Sequence, residues 1–442
     1  MAGFTPHTEN EIKEMLSAIG VEKIDDLFKD IPEELRPKNF NLPSGKTEYE
    51  ACTILQNLAK SNEHLILFAG GGYYDHFIPA AVNAISGRAE FYTAYTPYQP
   101  EASQGTLQAI FEYQTMISRL TGLPYSNASL YDGGTALYEA VAMAVRTNGR
   151  QKIVIDEGVN PIFVKIVKTY IINLSLNVEV IDLKNFHSDR EKIKSVLDET
   201  VSCVVMQNPN FFGFIDDYSD VFEYAKTKNI CCISVFNPIS LSLLKTPGEM
   251  GADIAVAEGQ SLGMDLSFGG PYLGIMAVTK DYLRKMPGRI VGKTIDKNGR
   301  DCFVLTLQAR EQHIKRERAT SNICSNQALC ALRANVYLSL LGKDGFKKLG
   351  LINLQKAEEL KSRLKDVGGV SLIEGETFNE FPVRIKSDAP TVVKKMLARG
   401  IMPGIPASLF YKNMNDVLII SITEKRTANE VLKFLEDIKT AV

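Results

Sequence analysis

The chain has 442 residues, 45% of them hydrophobic and 23% charged, with a formal net charge of −2. This is the balance of an ordinary globular protein, long enough for a large domain and a smaller one. It leaves no basic footprint for nucleic acid and no polybasic membrane patch, and no apolar run reaches the ~20 residues of a membrane helix.

The N-terminal stretch MAGFTPHTENEIKEM is polar and lacks the apolar h-region of a secretory signal. The seven cysteines (Cys52, Cys203, Cys231, Cys232, Cys302, Cys324 and Cys330) are an odd count without framework spacing. Cys231 and Cys232 lie inside an apolar run and read as buried thiols. Together these features fit a reducing cytoplasm. Five histidines without CxxC or HExxH give no support for a metal site.

The first segment, 1–65, reads as helical. Thr8 to Glu11 fits a capping box, with Ile12, Met15, Leu16 and Ile19 at helical spacing behind it. IDDLFKDI forms a short helix ending before Pro32, a two-proline loop covers 36–45, and another helix is expected over 47 to about 67. Gly70, Gly71 and Gly72 then force irregular backbone. They do not form GxGxxG and no βαβ unit precedes them, so a dinucleotide site is rejected. An aromatic, proline-punctuated loop at 92–105 leads into a long helix, Gln104 to Thr121.

From 149 to 278 short apolar runs (KIVID, VEVIDL, SCVVMQ, ICCISVF, DIAVA, YLGIMAV) alternate with amphipathic segments. Continuous β-branched strands with helices between them predict a mostly parallel sheet covered on both faces. Residues 329–442 carry helices around the strands VSLIE, FPVRI and VLIISITE, a compact α/β domain. The expected domains are therefore 1–65, 66–328 and 329–442.

Gly133 and Gly134 open a helix, where free N–H groups and the helix dipole suit an anion and Thr135 could add a hydroxyl; a plain helix start with no ligand is the favoured local reading. Asn208, Asn210 and Gly213 suit a polar turn at a strand's carboxyl end, where Phe211 and Phe212 could cover a planar ring or be core. The charges between Arg310 and Arg318 read by default as a solvated helix face, although an arginine there could grip a carboxylate. Tyr92, Tyr95, Tyr98, Gln99, Glu101, Ser103 and Gln104 crowd a loop stiffened by Pro97 and Pro100, which favours function or an interface.

The stretches TPHTENEIKEML, IGVEKIDDLF, FAGGGYYDHFIPAAV, AYTPYQPEASQGTLQAIFEYQTMI, YDGGTALYEA, QNPNFFG, SFGGPYLG, MPGRIVG and RERATSNICSNQAL, in order from residue 6 to about 330, resemble the P-protein family of the glycine cleavage system. They look most like the first subunit of its two-subunit form, glycine dehydrogenase (decarboxylating). The resemblance implies a type I pyridoxal-phosphate-dependent transferase fold, like aspartate aminotransferase. It implies a soluble cytoplasmic enzyme, active as an α2β2 heterotetramer with glycine dehydrogenase subunit 2. That complex would decarboxylate glycine and pass the aminomethyl group to the lipoyl arm of H-protein.

In such a family the loop after a central strand carries the lysine that holds pyridoxal 5'-phosphate, and a carboxylate pairs the ring nitrogen. Here no lysine lies between Lys245 and Lys280, Ser261 stands in the loop, and Asn237 replaces the carboxylate. The resemblance thus implies a degenerate copy at Asn237, Ser261, Gly133 and Gly134 that leaves the cofactor to the second subunit. Tyr95, Tyr98, Gln99, Glu101 and Ser103 become the candidate catalytic residues, lining the shared site. Two alternatives stay open: a purely scaffolding subunit, and a stand-alone lyase using a pyridoxal site elsewhere.

Overall fold

A computed structural model describes residues 6–39, 41–323 and 326–442; Cys324, within the last stretch of the resemblance, lies outside them. The chain divides into two units, 1–63 and 64–442. The first holds α1 (Glu9–Ile19) and α2 (Glu48–Lys60). Thr8 and Thr47 each close a capping box with the glutamate three residues on. The second helix ends at Lys60, short of the expected 67.

The second unit begins with β1 (Ile66–Leu67), α3 (Ala80–Ser86), α4 (Ala89–Tyr92), α5 (Gln104–Thr121), β2 (Tyr125–Ser126) and α6 (Gly133–Asn148). An alternating series follows: β3 (Lys152–Asp156), α7 (Pro161–Tyr170), β4 (Asn177–Ile181), α8 (Arg190–Val196), β5 (Val201–Asn208), α9 (Ser219–Thr227), β6 (Cys231–Phe236), α10 (Pro247–Met250) and β7 (Ile254–Glu258). Strand β8 (Gly274–Val278) closes the series.

These strands form one seven-stranded sheet, order β2-β8-β7-β6-β5-β3-β4. It is parallel except at β8, which runs antiparallel to both neighbours. Alternate residues feed opposite faces. Ile153, Val205, Ile233 and Val256 pack with α6 and α7, whereas Val154, Val204, Met206 and Cys232 pack with α8 and α9. Burial on both faces is why the strands read as unbroken apolar runs.

Beyond β8 come α11 (Lys280–Leu283), a hairpin of β9 (Ile290–Ile295) and β10 (Asp301–Thr306), α12 (Gln312–Lys315) and the long α13 (Ala328–Leu364). The C-terminal part adds β11 (Val370–Leu372), β12 (Glu380–Ile385), α14 (Ala389–Leu397), β13 (Ile401–Met402), β14 (Ile405–Pro406), β15 (Val417–Ser421) and α15 (Ala428–Ala441). Its antiparallel sheet runs β11-β12-β15-β14, and β13 pairs with β1. The segment 70–77 is clasped to this part: Asp75 pairs with Lys425 and Arg426 at 2.7 Å each, and His76 with Glu424 at 2.8 Å.

One expectation changes and one open reading is decided. The charged segment 307–318 is exposed from Gln312 to Arg318 but forms no continuous helix face: three short turns, broken by left-handed backbone at Leu307 and Arg316, replace one helix. Phe211 and Phe212 are core, packed with Tyr411, Val417 and Ile419.

The start of α6 demands glycine. A Cβ on Gly133 would sit 2.7 Å from the Glu258 nitrogen and 2.6 Å from the Phe163 ring. Gly133→Ala is therefore expected to lower stability by about 1–3 kcal/mol through overpacking, read as a lower thermal midpoint. An unchanged midpoint would contradict this packing.

Candidate functional site

In open α/β sheets, ligand crevices lie beyond the carboxyl ends of the strands. In this chain that place is bounded by Gly72, Tyr74, Asn160, Gln207, Asn237, Glu258 and Glu380, and its open volume is about 30 Å³. That is room for about one water, whereas small-molecule sites run to roughly 300–1,000 Å³.

The crevice is filled by the chain's own polar groups. Glu258, at the end of β7, turns its carboxyl onto the N-terminus of α6. It accepts hydrogen bonds from the backbone N–H of Gly133 (3.0 Å), Gln260 (2.9 Å) and Leu273 (3.2 Å). The helix N-terminus and its dipole thus face an internal carboxyl, where such termini elsewhere receive phosphate. Thr135 joins no ligand surface; it closes a capping box with Asp132. Across the crevice Glu380 accepts from Gly71 N–H (2.7 Å) and the Tyr74 hydroxyl (2.8 Å). Gln260 bridges back to the Tyr74 backbone at 2.9 and 3.1 Å. Asn237 accepts from Ile239 N–H at 3.0 Å, capping the turn after β6, and Ser261 is buried in the loop that follows β7.

Burial pushes the Glu258 carboxyl up to about 8 against the pull of its N–H donors, and the Glu380 carboxyl up to about 7 against Gly71 and Tyr74.

The 92–105 loop is a different kind of place. Pro97 is buried, and Gln104 ties the loop's end to β10, donating to the Phe303 carbonyl and accepting from its N–H at 2.9 Å each. Between these anchors the candidate residues face outward. Tyr95 is 80% exposed and Tyr98 47%; Gln99 and Glu101 are exposed and Ser103 half-buried. Tyr98 meets other polar groups: its ring lies over the Arg289 guanidinium (5.6 Å to the centroid) and edge-on to His313 (5.9 Å). Gln99, Glu101 and Ser103 lie on the same loop.

Glu258 and Glu380 are the site groups that sequence reasoning did not select. Glu258 carried one signal, an acid ending the apolar run DIAVA. Glu380 carried none, because its partners lie about three hundred residues away.

The sheet order, with a single antiparallel strand beside an edge and a smaller C-terminal sheet, is the type I fold of pyridoxal-phosphate-dependent transferases. A glutamate decarboxylase structure from Lactobacillus brevis shares it at TM-score 0.69 and 16% identity, covering 92% of this chain and 95% of that one. The family model of the glycine cleavage system P-protein matches residues 2–438, so the chain belongs to that family. A probable glycine dehydrogenase (decarboxylating) subunit 1 from Geotalea daltonii is 51% identical over 440 residues, 99% of this chain and all of the relative. One from Nitratidesulfovibrio vulgaris is 52% identical over 430 residues, 97% of each chain. A crystal structure of inhibitor-bound glycine decarboxylase (P-protein) of the glycine cleavage system superposes at TM-score 0.93 and 39% identity over the full length of both chains.

The residues in the crevice of this chain do not fit pyridoxal phosphate. The α6 N-terminus is occupied by Glu258, Asn237 brings no charge for a ring nitrogen, no lysine lies between Lys245 and Lys280, and the free volume is that of about one water. Among the described residues, no helix is long and apolar enough to cross a membrane.

Glu258 and Glu380 hold their protons more firmly in the fold than in the unfolded chain, where a glutamate titrates near 4.5. Their contribution is complete below that pH and is lost as pH rises through 7 to 8. The stability of the wild type relative to Glu380→Gln, which cannot ionise, is expected to shrink from about pH 5 to about pH 8, measured by thermal denaturation. A pH-independent difference would contradict a raised Glu380.

Proposed function

We propose that this chain is the first subunit of a two-subunit glycine dehydrogenase (decarboxylating), and that it completes an active site whose pyridoxal phosphate is bound by the second subunit. The observation that carries this reading is the closed crevice: the fold is kept whole while its phosphate seat is taken by Glu258 and its lysine is missing. The full-length likeness to relatives named as subunit 1 supports a separate second subunit. The reaction of the complex is then decarboxylation of glycine and transfer of the aminomethyl group to the lipoyl arm of H-protein, in an α2β2 assembly in the cytoplasm. When bound in the partner subunit, pyridoxal phosphate supplies the electron sink.

This chain's share of the chemistry falls to the 92–105 loop. Its two prolines and the Gln104 clamp set the loop's shape before assembly, so little ordering entropy is lost on docking. Tyr95, Tyr98, Gln99, Glu101 and Ser103 stand on its outer side and form a wall of the shared chamber. Tyrosines exclude water over a large area while keeping a hydroxyl for hydrogen bonding. Glu101 places a carboxylate where a proton can be held or passed at its Oε atoms.

The test is glycine–bicarbonate exchange by the co-expressed complex with lipoylated H-protein. Glu101→Gln is expected to slow exchange on the order of 100-fold or more if the carboxylate moves a proton. Tyr95→Phe and Tyr98→Phe, which each lose one hydrogen bond, are expected to slow it about 3- to 30-fold. Unaltered exchange in all three, with assembly intact, would refute the loop's role.

A further inference from the structure

We infer that Arg289, with Tyr98, is an oxyanion-binding site of this chain, built to receive a carboxylate or phosphate group presented from the partner subunit's side of the chamber; this inference rests on the function proposed above.

Arg289 leads into β9 and is only 4% exposed. Its backbone is fixed, the carbonyl accepting from Ala128 N–H at 2.8 Å. Its guanidinium is charged and nearly buried, yet among the described residues it makes no ion pair. The Nε–H has no acceptor, and one terminal nitrogen reaches only the Tyr98 hydroxyl, at 3.4 Å. Arg310 shows the contrast. Its Nε and one terminal nitrogen donate to the Leu307 and Gly288 carbonyls at 2.9 Å each, and Glu311 lies close enough to act on its charge, although its other terminal nitrogen is also without a hydrogen-bond partner among the described residues. Glu311 approaches His313 at 3.8 Å. The carboxylate in this cluster therefore serves the neighbours of Arg289, and Arg316 and Arg318 are exposed.

A buried guanidinium with an open donor is costly unless a partner completes it. The missing partner is an acceptor that can use a planar fork, which is the chemistry of a carboxylate or a phosphate. The path to the guanidinium runs past Tyr98, which is half-exposed and can rotate or donate to the same anion. Two sources fit that chemistry: the carboxylate of the glycine substrate, and the phosphate of the cofactor in the second subunit.

The experiment uses the assembled two-subunit complex with Arg289→Lys and Arg289→Met. It reads the glycine KM in exchange, the glycine-induced spectral change at the cofactor, and the pyridoxal phosphate dissociation constant. A rise of about 10- to 100-fold in the glycine constants, with cofactor affinity unchanged, identifies the carboxylate. A rise of that size in the cofactor dissociation constant identifies the phosphate. Arg289→Lys is expected to fall between wild type and Arg289→Met, because it keeps charge and loses the fork.

Unchanged glycine and cofactor constants in assembled Arg289→Lys and Arg289→Met overturn the inference. Failure of both variants to assemble overturns it too, because the arginine then pairs with a structural group across the interface. The spectral and cofactor readings need no turnover. An inactive wild-type complex would count against the proposed function and leave these two readings able to judge Arg289.

Discussion

The carboxyl of Glu258 seated on the first turn of α6 joins the end of a central strand to the start of the helix that in this fold faces the ligand crevice. Three backbone N–H groups converge on one side chain, and glycine at 133 lets strand and helix approach closely enough for that. With the helix terminus satisfied from within, the crevice needs no external anion. Glu380, Tyr74 and Gln260 complete the same closure from the other wall. The proposed function displaces the chemistry from the strand ends to the outward-facing loop 92–105, which is anchored at one end by Gln104 on β10.

That displacement explains which parts of the sequence carry chemistry. A copy of the fold that leaves the ring to its partner, as proposed, has no use for a lysine after β7 or an acid at the end of β6, and in this chain Asn237 caps a turn. The same chain presents tyrosines, an exposed carboxylate and a buried arginine that has no ion pair among the described residues. In the proposed assembly these groups become useful when a second surface closes over them, where low dielectric strengthens each interaction.

Much of the fold was legible in the sequence. Strands buried on both faces appear as continuous β-branched runs, so β3 to β8 were read nearly to the residue. Thr8 announced the first helix through capping chemistry, and the glycine pair Gly133–Gly134 marked the start of α6. The remainder depends on contacts between distant residues. The charged stretch 307–318 has the composition of a surface helix, but it bends around Gly288 and the Tyr98 loop, so its backbone follows tertiary contacts. Phe211 and Phe212 were ambiguous because strand ends and ring covers share a composition; Tyr411 and Ile419, two hundred residues on, decide it. The closed crevice was half legible: the missing lysine and acid were visible, whereas the carboxyl of Glu258 that fills the seat lies 125 residues from the glycine it contacts.

The most direct measurement is the cofactor content of this chain purified alone and purified with its second subunit. A crevice closed by Glu258 and lacking a lysine predicts a colourless lone chain and one pyridoxal phosphate per pair of subunits in the complex. Pyridoxal phosphate bound to the lone chain, trapped by borohydride on one of its lysines, would contradict the account.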